Sequence, residues 1–387
     1  MKEYSGLFFL SMVLIVALFM VIDPQETVTA AASGIQLWYT IVLPALFPFF
    51  IVAELLVGLK FVNFLGVILE PVMRPIFRLP GCSSLVVVMG FTSGFPVGAL
   101  LTKKLYDEKM LTANEAERLV CFTNNSSPLF IIGAVGVGMF GSPLLGYLLA
   151  AAHYLSNLLL GFLLRFRSVQ EIDFKSKPVT TWKGALHDLL NSYQDSGGIG
   201  MLLGKAIKTS ITNILAIAGF IVVFSIITRM LSVWGAMNIL ANGIVNVLSC
   251  FDLSYPMAYG MGMGIFEMTL GARTITSCVP GEILAKLIIV SGIMAFSGLS
   301  VIAQIMSIVA GSPIRLYYYL CARLAQMALS ISIVTTGYHF IRTSLPSMAI
   351  PFYKAVYSFD AWTFSIYCLV IGAIILLTMV IISLTRS

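Results

Sequence analysis

Four short stretches could hold a polar solute inside an otherwise apolar chain. They are GFTSGFPVG at 90–98, TNNSSP at 123–128, MGMGIFEMTLGA at 261–272 and FSGLS at 296–300. Each places hydroxyls, amides or a carboxylate beside glycine or proline, the residues that interrupt a helix. A helix broken in a nonpolar medium exposes unpaired N–H groups at its new amino-terminal end. The helix dipole adds partial positive charge there, so an anion can be held without a buried lysine. The candidate substrate-binding residues are therefore Thr92, Ser93 and Gly94; Asn124, Asn125, Ser126 and Ser127; Glu267, Thr269 and Arg273; and Ser297 and Ser300. Hydroxyls and amides among them supply both donors and acceptors.

Catalysis finds no support in these residues. No nucleophile–base pair or metal pair is visible at any spacing. His153, His187 and His339 have no ligand spacing, and the six cysteines (Cys82, Cys121, Cys250, Cys278, Cys321, Cys368) are scattered singly, as packing residues are. No cofactor is expected. Charge within apolar segments is sparse and functional by default. Glu267 is a site residue, a partner of Arg273 six positions on, or a protonated group within the bundle. Glu54 can snorkel towards Lys60, and Arg323 either attracts an anion or orients a helix at the inner surface.

The elements that must position these residues are transmembrane helices. Apolar residues make up 59% of the 387, charged residues only 10%, and the mean hydropathy is +0.97, far from a soluble composition. Hydrocarbon needs about 20 apolar residues per helix. Runs at 5–22, 35–59, 143–166, 211–231, 283–310, 313–336 and 361–384 meet that need. The chain is thus an all-α polytopic membrane protein. Its first run is read as a span, although Lys2, the apolar stretch and the small residues after it also suit a signal peptide.

The distribution of Lys and Arg orients the chain. Lys2 is inside; the connection 23–34 has Asp23 and Glu26 but no basic residue and is read as an external loop; Lys60, Arg74 and Arg78 are inside again. Residues 61–77, with Pro71 and Pro75, are expected along the interface. Residues 82–102 begin and end on the basic side, so they form a re-entrant hairpin with Gly94, Phe95 and Pro96 at its tip. Non-helical backbone at membrane depth survives only where protein or a wet cavity satisfies it. Thr112 with Glu115 is a capping box opening a helix that TNNSSP breaks. After a polar cytosolic connector, with an amphipathic stretch TWKGALHDLLNSY, the same order recurs upside down, with a second hairpin near 256–280.

Domain boundaries follow: a first span and external loop at 1–34, a first repeat at 35–166, the connector at 167–208, a second repeat at 209–336, and an external loop with a last span at 337–387. Spacing supports the two inverted repeats, each with a re-entrant hairpin and a broken helix. Asn124 follows Ala99 by 25 residues and Ser297 follows Ala272 by the same 25; Ser127 and Ser300 each lie 28 after their alanine. Paired breaks in corresponding positions of two halves mark a transporter site at the midplane.

The stretches LPALFPFFIVAELLVGL, EPVMRPIFRLPG, MGFTSGFPVGA, LTANEAERLVCFTNNSSPLFIIGAVGVG and LLAAAHYLSNLLLG resemble the YlbJ-type sporulation integral membrane proteins of endospore-forming bacteria. That family carries the nucleoside-recognition, or Gate, domain and is similar to concentrative nucleoside transporters, whose two hairpins and two unwound helices hold the substrate. The resemblance implies a multi-pass protein of the outer forespore membrane that moves dipicolinic acid from mother cell towards forespore.

Two departures stand out. The first hairpin offers Thr92 and Ser93 where nucleoside transporters supply glutamine and glutamate, and Ala295 stands where their unwound helix has asparagine. A small anionic substrate such as dipicolinate, the lipid bilayer and further copies of the chain are the expected partners; nucleic acid is not. A nucleoside-type cation symporter and a non-transporting scaffold for envelope assembly are the alternatives, and the coupling ion, proton or sodium, is open.

Overall fold

The computed structural model describes residues 2–167, 198–249, 253–278 and 283–358. Among these the chain is helical with no strand. Four helices are long and apolar enough to cross a membrane, at Pro143–Arg167, Ile199–Val233, Ile283–Ile308 and Leu316–Ile341; a bent amino-terminal pair would make a fifth.

Helix α1 (Lys2–Ile22) turns through 109° at Asp23 into α2 (Pro24–Leu37), which continues through a π-helical turn (Trp38–Val42) into α3 (Leu43–Gly58). The expected external loop at 23–34 is therefore a helix. Pro24 sits in its first turn, where no amide hydrogen is missed, and Glu26 complements the dipole. Alanines that read as a small-residue loop are equally the best helix formers. This arm lies along the later helix Ile199–Val233. Glu26 pairs with Arg229 at 2.6 Å, and the Trp38 indole donates to the Ile214 carbonyl at 3.0 Å.

Helix α4 (Phe61–Phe77) spans the segment expected at the interface and is bounded by Lys60 and Arg78, both left-handed. Arg118 holds its carboxyl end, donating to the carbonyls of Phe77 at 3.0 Å and Arg78 at 2.8 Å. The first hairpin follows as α5 (Ser83–Ser93) and α6 (Val97–Asp107), with 94–96 at the tip. Helix α7 (Ala113–Thr123) opens with the Thr112–Glu115 capping box and stops at Asn124. The chain resumes as a π-helical segment (Leu129–Met139) and returns as α8 (Pro143–Leu164).

The second half is α9 (Ile199–Val233), α10 (Ala236–Val247), the hairpin α11 (Tyr255–Phe266) and α12 (Met268–Ser277), the broken pair α13 (Ile283–Phe296) and α14 (Gly298–Ile308), and α15 (Leu316–Ser358). Element boundaries recur at a fixed displacement. Ser93 and Phe266 end the first arms, Thr123 and Phe296 end the helices before the breaks, and Pro143 and Leu316 begin the returns, each pair 173 positions apart.

Two other expectations change. Helix α9 begins at Ile199, inside the expected connector, because no helix breaker separates Lys205 and Lys208 from the apolar run. The external loop expected from 337 is helical to Ser358, extending α15. The amphipathic stretch at 181–193, Cys250, Cys368 and the last span at 361–384 lie outside the described residues. Cys82 and Cys121 are buried and unpaired, as packing residues.

Glycines let the hairpins close against their neighbours. A Cβ on Gly98 would come within 2.4 Å of the Thr123 carbonyl oxygen, and one on Gly271 within 2.3 Å of the Gly264 Cα. Backbone this close cannot yield as a side chain can. Gly98→Ala and Gly271→Ala should each cost about 1–3 kcal/mol, lowering the unfolding temperature in detergent. Gly219→Ala, with nothing within 4 Å of the new methyl, should leave it unchanged or slightly raised.

Candidate functional site

The two hairpin tips, the first helix break and the helix that follows the second break line one cavity of about 110 Å³. Ser93, Gly94 and Phe95 come from the first tip; Ser126, Ser127 and Phe130 from the first break; Glu267, Met268 and Thr269 from the second tip; and Ser300, Val301 and Gln304 from the turn after the second break. Leu37, Val42 and Leu46 on the amino-terminal arm and Ile217 and Ile221 on α9 close the apolar side. Seven of the twelve residues singled out in the sequence thus line one space: Ser93, Gly94, Ser126, Ser127, Glu267, Thr269 and Ser300.

Local geometry explains the tips. Gly94 has φ +92°, and a Cβ there would lie 2.9 Å from both the Cβ and the amide nitrogen of Ser127, so the first tip rests on the first break. The Ser93 hydroxyl is buried with no partner. Ser127 accepts from the Phe130 amide at 3.2 Å, and Glu267 accepts from the Leu270 amide at 2.6 Å. Both are N-caps at the start of a resumed helix. Glu267 makes no ion pair with Arg273, which lies exposed on the far side of its helix. The arginine, a helix residue with a long polar head, is turned to the surface and does not line the cavity.

Four other candidates stand away from the cavity. The Thr92 hydroxyl bonds back to the Val88 carbonyl at 2.9 Å on an exposed face. Asn124 accepts from the Ala99 amide at 2.8 Å and donates to the Val120 carbonyl at 2.8 Å. The 25-residue spacing seen in the sequence is therefore a hydrogen bond that ties the break to the second arm of the hairpin. Asn125 donates to the Phe122 carbonyl at 3.3 Å and accepts from Asn157. Ser297 is buried in a left-handed conformation (φ +76°), where its backbone makes the turn. Asn124 and Asn125 serve the first break itself, because orphan backbone groups in a dry interior need partners before any solute does.

The first break is held from behind by residues that sequence reasoning set aside or left open. His153 on α8 accepts the Ser126 amide at 3.2 Å, and the Tyr154 hydroxyl donates to the Ser126 carbonyl at 2.9 Å. Arg323, fully buried on α15, donates to the carbonyls of Asn124 at 3.1 Å and Cys121, and to Asn157 at 3.3 Å, while lying over the Tyr319 ring. A cation at the carboxyl end of α7 complements its dipole. The open question about Arg323 resolves as a helix-end partner far from the surface. Nearer the chain's basic end, Glu117 on α7 takes three bonds from Arg315, at 2.6–3.0 Å from its guanidinium and amide.

Phe130 and Gln304 were legible in principle, each one helical turn after a serine of its break. The apolar lining residues carry no signal that separates a cavity wall from a lipid-facing side chain. Chemically, the site offers hydroxyls, one amide side chain, two aromatic rings and a single ionisable group, Glu267.

Comparison with known proteins gives three findings. A family model described as Gate, nucleoside recognition, matches residues 39–143, which cover the first hairpin and the first break. The sporulation integral membrane protein YlbJ of Bacillus subtilis is 42% identical over 308 residues, 78% of this chain and 75% of that protein. An uncharacterized protein of Alkalihalophilus pseudofirmus is 36% identical over 115 residues, 29% of this chain and 24% of its own. No solved structure matches.

Arg323 offers a direct check of the first break. Arg323→Gln removes the charge and leaves buried carbonyls short of donors, which should cost about 2–5 kcal/mol. The unfolding temperature in detergent should fall markedly, and Arg323→Lys, which keeps the charge but loses the planar fork, should fall between the two.

Proposed function

Because this chain belongs to the family of the sporulation integral membrane protein YlbJ, we propose that it transports a small anionic metabolite across a membrane during sporulation. Dipicolinic acid crossing the outer forespore membrane is the proposed cargo and place. One observation carries the reading: both hairpin tips, the first helix break and the helix after the second break line one cavity. In a bilayer, interrupted backbone is tolerated only around a protein-lined or watery space, and such a space between two halves is where secondary transporters bind their solutes.

The matched element boundaries, 173 residues apart, support two inverted repeats in the manner of the concentrative nucleoside transporters. Alternating access would then be a rocking of hairpins and arms about the cavity. Five hydroxyls (Ser93, Ser126, Ser127, Thr269, Ser300) suit carboxylate oxygens, and the Phe95 and Phe130 rings suit a flat heteroaromatic ring. A second reading, a nucleoside-type cation symporter, is favoured by the Gate match and by Glu267 in the cavity wall, since a carboxylate accepts from sugar hydroxyls.

Uptake of dipicolinate into liposomes holding the purified protein tests the first reading. The Ser126→Ala, Ser127→Ala double variant should transport about 10–100-fold more slowly, the loss expected when hydrogen bonds to a charged ligand are removed. Undiminished uptake by the variant would remove the proposed path. Sodium-dependent uridine uptake with no dipicolinate movement would select the second reading.

A further inference from the structure

The carboxylate of the second hairpin tip stands where an anionic substrate would have to bind. Glu267 caps helix α12: its carboxylate accepts the Leu270 amide at 2.6 Å, and Thr269 stands in the first turn beside it. That amide is a donor that a helix amino terminus offers to an anion, and Glu267 and Thr269 both line the cavity. The protein's own carboxylate therefore already uses a donor that the sequence suggested was free. In the first half the residue 173 positions earlier is Gly94, so the feature belongs to one tip only.

Among the described residues, no positive charge in the cavity wall offsets it. The facing elements contribute Ser93 from the first hairpin, Ser126 and Ser127 from the first break, Ser300 and Gln304 from α14, and isoleucines from α9. The titratable groups behind the wall are engaged elsewhere. His153 and Tyr154 hold the backbone of Ser126, and Arg323 holds Asn124 and Cys121. On the elements packed directly around the tip, Tyr259 of α11 bonds Ser232, Lys286 of α13 bonds the Thr276 and Cys278 carbonyls, and Arg273 is exposed. Two like charges about 4 Å apart in a half-screened site weaken binding by about a thousandfold. A substrate anion and an ionised Glu267 do not share so small a space.

We propose that Glu267 is a built-in placeholder: its carboxyl oxygen occupies the Leu270 amide until the substrate arrives, and it yields that place to an acidic group of the substrate only with one proton bound. Anion and proton then bind and move together. The proton comes from solution on the side of uptake onto a Glu267 oxygen. It leaves on the other side, when the substrate departs and the carboxylate returns to the helix end. This rests on the anion-transport reading and adds its coupling ion.

Calorimetric binding of dipicolinate to the full-length protein, at about pH 6 and about pH 8 in buffers of different ionisation enthalpy, counts protons taken up per anion; substrate carboxylates are ionised throughout that range. Proton uptake on binding means that affinity rises as pH falls, by up to about tenfold per unit for one proton. The wild-type protein should show this rise and should accumulate dipicolinate in liposomes under an inward proton gradient. Glu267→Gln should bind with no proton uptake and ignore the gradient. Wild-type binding with zero proton uptake, or a Glu267→Gln variant that still takes up a proton, overturns the coupling alone. No binding at either pH overturns the anion reading and the coupling with it. The wild-type proton count needs no variant, so a misfolded Glu267→Gln leaves the test intact.

Discussion

A helix interrupted inside a nonpolar protein leaves carbonyls on one side of the gap and amides on the other, and water cannot satisfy either. Much of this structure answers that demand. At the first break the carbonyl end of α7 is met by the buried guanidinium of Arg323, and the amide and carbonyl of Ser126 by His153 and Tyr154. Asn124 bridges to the hairpin through the Ala99 amide. Only after these bonds are made do Ser126 and Ser127 have fixed places in the cavity wall. The polar residues of the break thus divide into those that hold the backbone and those that face the cavity.

The two halves meet the demand differently. The first uses side chains from α8 and α15. The second relies on close backbone approach and one carboxylate: Gly298 packs so near the Gly264 and Phe266 carbonyls that a Cβ would lie 3.2 Å away, and Glu267 caps the resumed helix of the tip. Among the described residues that line the cavity, Glu267 of the second tip is the one ionisable group.

Much of the fold was legible because the signals were local. The capping box at Thr112, the tip at 94–96, the break at 124–128 and the bounds of 61–77 follow from proline, glycine and cap residues whose effects reach only a few positions. The errors came from competition that local rules cannot weigh. Residues 23–34, which lack basic charge, and those beyond 336 read as loops, yet helix propensity carries them, the first stretch packed on α9. Asn124 and Asn125 had the right chemistry for a ligand, but the nearest unsatisfied groups were backbone. Arg323 lies 199 residues from the carbonyl of Asn124 that it serves, a distance that no pattern within one segment reveals.

That separation also has a meaning in time. A ribosome adding about 5–20 residues per second needs roughly ten to forty seconds between making Asn124 and making Arg323. For most of that interval, once residue 164 has been added, the first hairpin, its break and α8 are synthesised, with His153 and Tyr154 at hand, while the carbonyl end of α7 still lacks its cation. The early half of the protein therefore enters the membrane as an unfinished object, whose defect is closed only by a helix born much later. Any shielding of those carbonyls in the meantime must come from lipid headgroups, water or the insertion machinery.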